Sequence, residues 1–141
     1  MVFKNNHQYF TARRVINYLQ NLHHTAVEPI LLRNQDIRKA IKEAIGLGFK
    51  LMYVGTIKEL DEFLVGWTPN NFKDTEWVRG PLKDLDKSQI IQLIANEQVE
   101  ELFSITRSCV ESEPGRCGIC NRCRERQWGF EQVGLTDPGV L

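Results

Sequence analysis

Cysteine is missing from the first 108 residues of this 141-residue chain, and nowhere in it do two glycines stand side by side. No stretch approaches the roughly 18 consecutive apolar residues that a membrane-spanning helix requires. The amino terminus, MVFKNNHQYF, lacks the apolar core of a secretory leader. Neither sign of charge is in excess, with Lys+Arg 18 and Asp+Glu 18, so the chain as a whole is not built to bind a polyanion. Internal repeats and low-complexity segments are absent too. These absences leave a globular, cytoplasmic protein long enough to bury a core.

What is present reads as alternating helix and strand. Gln8–Leu22 places Phe10, Val15, Ile16, Tyr18, Leu19 and Leu22 at helical spacing. An extended connector follows, with Pro29 disfavouring helix at Glu28. Asn34 can cap a second helix whose face is Ile37, Ala40, Ile41, Ala44 and Ile45, and Gly46 and Gly48 end it. The run FKLMYVGTI (49–57) suits a buried strand. A short helix with Glu59, Asp61 and Glu62 on its solvated face precedes a Trp-Pro-Asn loop. Asp86 can cap a helix carrying Ile90, Ile91, Leu93 and Ile94, and LFSIT (102–106) reads as a further strand. Helix, glycine turn and buried strand in series imply an α/β fold with a parallel sheet. His7, His23 and His24 lack any metal-ligand spacing and are expected as surface or packing residues.

All four cysteines then fall within fifteen residues, spaced Cys109-x7-Cys117-x2-Cys120-x2-Cys123. Four thiolates suit a closed tetrahedral zinc site, and an iron–sulfur cluster uses the same donor set. Gly118 lets the backbone turn after Cys117. Cys120 and Cys123, three apart, face one way on an opening helical turn. Pro114 and Gly115 supply the loop that returns Cys109 to the others. Arg107, Arg116, Arg122, Arg124 and Arg126 surround the cluster and can offset its negative charge. A closed site of this kind contributes folding energy and leaves no coordination position for catalysis.

The segment from Ser108 to Pro138 closely resembles the C-terminal zinc module of the 7-cyano-7-deazaguanine synthase family, which are PP-loop ATP pyrophosphatases. The match runs through Ser108, the four cysteines, Gly118, Arg124, Gly129, Phe130, Gly134, Asp137 and Pro138. Upstream, Pro81, Leu82, Leu85, Lys87 and Ile90 are similar to a family helix. Arg33, Asn34 and Gly55 match its Arg-Asn helix and the following strand, with Leu31 where the family has proline. The resemblance implies a partial PP-loop (adenine nucleotide alpha hydrolase-like) α/β domain over 1–107 and a zinc-binding module over 108–141.

It further implies a ligase that adenylates 7-carboxy-7-deazaguanine with ATP and Mg²⁺, admits ammonia, and forms the nitrile of queuosine-type pathways. Arg33 and Asn34 would sit near nucleotide phosphate, Lys87 near the active site, and Trp67 would stack on the flat base. The family's Ser-Gly-Gly-x-Asp-Ser loop, which cradles pyrophosphate, has no counterpart here. Its substrate segment survives only as Gly66, Trp67 and Pro69, without the Cys and Arg. The expectation is therefore the C-terminal half of a split synthase, inactive alone and completed by a separate chain carrying the ATP loop. Self-association stays open, and neither membrane nor nucleic acid is expected as a partner. The alternative is a catalytically inactive zinc-bearing relative that binds a nucleotide, an RNA or a protein.

Overall fold

The computed structural model describes residues 6–23, 37–63, 73–109, 111 and 115–139. They form a helix-rich α/β chain that gathers into two units, Met1–Met52 and Tyr53–Leu141. Among the described residues no helix is long and apolar enough to cross a membrane. Asn34 as helix cap, the Pro29 connector and the Trp-Pro-Asn loop lie outside the described residues.

The first unit contains α1 (Asn6–His23) and α2 (Ile37–Gly46), where helical spacing places them. Ile16 of α1 and Ala40 and Ala44 of α2 are buried, whereas Phe10, Leu22 and Ile45 are exposed. Gly48, at φ +88°, closes α2: its N–H donates to Ile45 O and that of Phe49 to Ala44 O. A left-handed residue at this position satisfies the last carbonyls of a helix, and glycine adopts it without a Cβ clash.

The second unit begins where β1 (Met52–Tyr53) pairs with β2 (Val78–Arg79) in a two-stranded sheet. Val54 N–H donates to Arg79 O and Lys58 N–H to Leu85 O. The partner number rises as the chain advances, so the two segments run parallel. The run 49–57 therefore forms a much shorter strand than its composition suggests. Phe49, Leu51 and Tyr53 are also exposed rather than buried, because a sheet this narrow covers little of an apolar strand. Asp74 Oδ1 accepts from Gly80 N–H and Thr75 Oγ1 from Val78 N–H, which pins β2 at both ends.

Helix α3 (Lys87–Asn96) opens with the expected cap. Gln89 N–H donates to Asp86 Oδ1 while Asp86 N–H donates to Gln89 Oε1, a reciprocal capping box. The LFSIT segment is not a strand but α4 (Glu101–Ile105). Its apolar residues do not alternate, and helical geometry turns Phe103 into the core, edge-on to Phe130 at 4.9 Å. Helix α5 (Asn121–Gln132) completes the unit by packing on α3, with Ile91, Phe103 and Phe130 buried and Ile94 and Val133 against them.

The crossing of α3 and α5 depends on Gly129. A Cβ there would lie 2.8 Å from Lys87 Cγ, 2.9 Å from Ile91 Cδ1 and 3.2 Å from the Lys87 backbone carbon. Alanine would add about 1 kcal/mol of helix propensity, but overpacking a tight contact costs about 1–3 kcal/mol. Gly129→Ala is thus expected to lower stability by about 1 kcal/mol in urea unfolding, against the usual direction of a helical glycine replacement.

Candidate metal centre and the charge cluster beside it

The four sulfurs converge. All lie within 4.8 Å of one another, with Cys109 Sγ 3.7 Å from Cys117 Sγ and Cys117 Sγ 3.9 Å from Cys123 Sγ. A tetrahedron of bonds near 2.3 Å has sulfur–sulfur edges of roughly 3.8 Å, so the donor set has the spacing of a single four-coordinate ion. Gly118, at φ +73°, makes the turn after Cys117. Cys120 N–H donates to Cys117 Sγ and Cys117 N–H to Cys109 Sγ, at 3.3 and 3.4 Å. Cys120 sits at the N-cap of α5 and Cys123 in its first turn, which puts both sulfurs on one side.

Two of the thiols shift in opposite directions. Hydrogen bonds from the Cys120 and Ile119 backbone hold the Cys117 thiol below its ordinary value. Burial pushes the Cys123 thiol up to about 12. A thiol raised that far stays protonated near neutrality unless a metal ion replaces its proton.

The surrounding arginines are engaged elsewhere. Arg126, only 5% exposed, uses all five of its N–H donors. Nε donates to Asp137 Oδ2 at 2.8 Å and Nη2 to Asp137 Oδ1 at 2.9 Å, a bidentate pair. Nη2 also donates to Phe103 O, and Nη1 to Thr106 O and Oγ1. The last carbonyls of α4 are thereby capped by a cation, where a helix C-terminus favours one. Arg116 donates to Asp137 Oδ2 and Gly139 O, and Arg107 Nε to Cys109 O. Of the five arginines expected to offset the thiolates, Arg124 is the exposed one. Carboxylates and carbonyls are stronger acceptors than sulfur, and they draw the guanidinium groups away.

A second charged group lies on the other side of α5. Arg122 Nη2 is 3.4 Å from Glu59 Oε1, and Arg122 Nη1 is 4.0 Å from Glu125 Oε2. Lys87 Nζ is 3.9 Å from the same Glu125 oxygen. Burial pushes the Lys87 ammonium down and the Glu125 carboxyl up, while their mutual attraction opposes both shifts. Glu59 was expected on a solvated face with Asp61 and Glu62. The latter two are exposed, but Glu59 is buried, turned inward towards Arg122. Neither of its carboxylate oxygens has a hydrogen-bond partner, at a cost of about 1–3 kcal/mol for a buried polar group.

Of the residues expected to bind nucleotide or substrate, Arg33, Asn34 and Trp67 lie outside the described residues. Lys87 stands in the first turn of α3, inside the charge cluster rather than on open surface. Sequence reasoning missed Glu125, placed Glu59 on a solvated face and gave Arg126 to the thiolates, whereas Glu59 is buried and Arg126 binds Asp137 and the end of α4. A helical projection of 122–126 carries a usable signal for one of them, Glu125, which stands three residues after the oppositely charged Arg122.

The sequence profile of the family described as queuosine biosynthesis protein QueC matches residues 53–134. A 7-cyano-7-deazaguanine synthase from Campylobacter jejuni is 40% identical over 81 residues, which is 57% of this chain and 34% of that protein. Proteins of the same name from Hydrogenovibrio crunogenus and Dechloromonas aromatica are 42% identical over 65 residues and 44% over 63. These alignments cover 45% and 43% of this chain and 27% of either relative. The chain thus spans about a third or less of the length of these curated relatives. No solved structure matches it significantly.

Asp137 offers a pH test of the tail contact. Burial alone would raise its pKa, but hydrogen bonds from Arg126 and Gly139 and the charges of Arg126 and Arg116 hold it below 3.8. A depressed folded-state pKa stabilises above the unfolded value, and the contribution disappears as pH falls through the folded one. Asp137→Asn should therefore cost about 3 kcal/mol at pH 7. In thermal melts the difference from wild type should begin to close only below pH 3.8, the ordinary carboxyl value.

Proposed function

Because the chain belongs to the queuosine biosynthesis protein QueC family, we propose that it is the zinc-bearing C-terminal portion of a 7-cyano-7-deazaguanine synthase-like ATP-dependent ligase. Its ATP loop would come from a partner chain. The observation that carries this reading is the convergence of Cys109, Cys117, Cys120 and Cys123 within 4.8 Å, all inside the matched segment. Zinc is the favoured ion because the sulfur spacing suits one centre. A cluster of several irons would set each thiolate on its own iron and spread them further apart. The ion's contribution is to folding, since four protein sulfurs complete its coordination.

In this reading the PP-loop α/β domain activates the carboxylate of 7-carboxy-7-deazaguanine as its adenylate, releasing pyrophosphate. Ammonia displaces AMP to give the amide, and a second activation removes the amide oxygen to give the nitrile. Such chemistry consists mostly of positioning and charge stabilisation. Arg33 and Asn34 would hold phosphate, Trp67 would stack on the base, and Lys87 would supply a positive charge close to the reacting groups. The sequence has no Gly-Gly pair to build the pyrophosphate cradle, so in this reading the cradle lies outside these 141 residues.

Two measurements check this. Metal analysis of the purified chain should give one zinc per chain, and Cys123→Ser should lower both zinc content and melting temperature. ATP should be converted to AMP only when a chain bearing Ser-Gly-Gly-x-Asp-Ser is present, and native mass spectrometry should show the two together. ATP turnover by this chain alone, or a metal-free folded chain, would sink the proposal.

A further inference from the structure

We propose that Glu59 is the receptor for the edge of a guanine-type base, taking the ring N–H and the neighbouring exocyclic amino group on its two carboxylate oxygens. The inference rests on the synthase reading above and adds to it the residue that selects the base.

Glu59 is 5% exposed, yet both its oxygens lack a hydrogen-bond partner. Its closest ionic neighbour, Arg122, stands 3.4 Å away without hydrogen-bond geometry. Three residues earlier, Thr56 Oγ1 is also buried and unpartnered. Both residues lie on the stretch that leaves the carboxyl end of β1. Lys58 N–H joins that stretch to the one leaving β2, through Leu85 O. In open parallel sheets, ligands bind beyond the carboxyl ends of the strands.

Charge decides what kind of ligand fits. Glu59 and Glu125 are balanced by Lys87 and Arg122, so a charged group placed against Glu59 itself would leave a net charge in a buried place, and any charge the ligand carries must lie away from that edge. A neutral edge with two adjacent N–H donors leaves none. An ionised carboxylate is an acceptor only, and its paired oxygens match two parallel N–H groups. A guanine-type edge presents that pair, whereas an adenine-type edge puts an acceptor where one donor is needed. The product named for the Campylobacter jejuni relative contains a guanine-type ring.

The test is calorimetric titration of the zinc-loaded full chain, with its partner where one co-purifies, against 7-deazaguanine, 7-deazahypoxanthine and 7-deazaadenine. On wild type, loss of the amino group in 7-deazahypoxanthine should weaken binding by about 10- to 100-fold, the scale of one bidentate pair. Weakening by 7-deazaadenine should be at least as large. Glu59→Gln should weaken 7-deazaguanine by the same factor and leave 7-deazahypoxanthine nearly unchanged, with zinc content confirming that the variant is folded. The comparison of ligands on wild type needs no variant at all.

Equal affinity for the three bases, no binding of any, or a preference that survives Glu59→Gln would overturn the assignment. The two proposals fail separately. A Glu59-dependent preference without AMP formation in the presence of the partner defeats the synthase reading. AMP formation without that preference defeats the role of Glu59.

Discussion

Helix α5 can occupy only one register once Cys120 and Cys123 must meet Cys109 and Cys117 within 4.8 Å. That constraint orders the second unit. With the first turn fixed, Arg122 and Glu125 fall on the side of α3 and Glu59, while Arg126 falls on the side of α4 and Asp137. Four sulfurs bound to one ion would make a compact cross-link in a region where, among the described residues, α4 has only five residues and the sheet two strands. Such small elements have little cooperativity of their own, and a metal clasp would supply what propensity does not.

The two charged groups that α5 carries are satisfied differently. Arg126 has every guanidinium N–H matched and ties the end of α4 to the tail after α5, although its neighbour on Asp137, Arg116, leaves a buried Nε without a partner. Around Glu59 the charges balance while the hydrogen bonds do not. A fully satisfied buried network fixes structure, and a partly satisfied one marks a place where stability has been given up. The two groups differ in degree: a carboxylate with both oxygens unpartnered at Glu59, and a single unpartnered Nε at Arg116.

Legibility in the sequence followed the range of the forces involved. The capping box at Asp86, the glycine that ends α2 and the cysteine knuckle are local devices, each decided within a few residues, and each stands where the sequence put it. LFSIT was misread because its conformation is set from 23 residues away, where Arg126 caps its carbonyls. The run 49–57 was misread because composition describes what a strand could bury and says nothing about how many neighbours cover it. Glu59 looked like a solvated acid, since its burial depends on Arg122, far along the chain. Gly129 and Phe130 stood in the sequence as matching letters of a motif. The structure gives them a cause: the first admits α3, and the second packs on Phe103.

X-ray absorption at the metal edge of the protein as purified probes the clasp most directly. The account predicts a zinc edge with four sulfur neighbours at about 2.3 Å and no metal–metal scattering. An oxygen or nitrogen in the first shell, or an iron edge with metal–metal scattering, would contradict it.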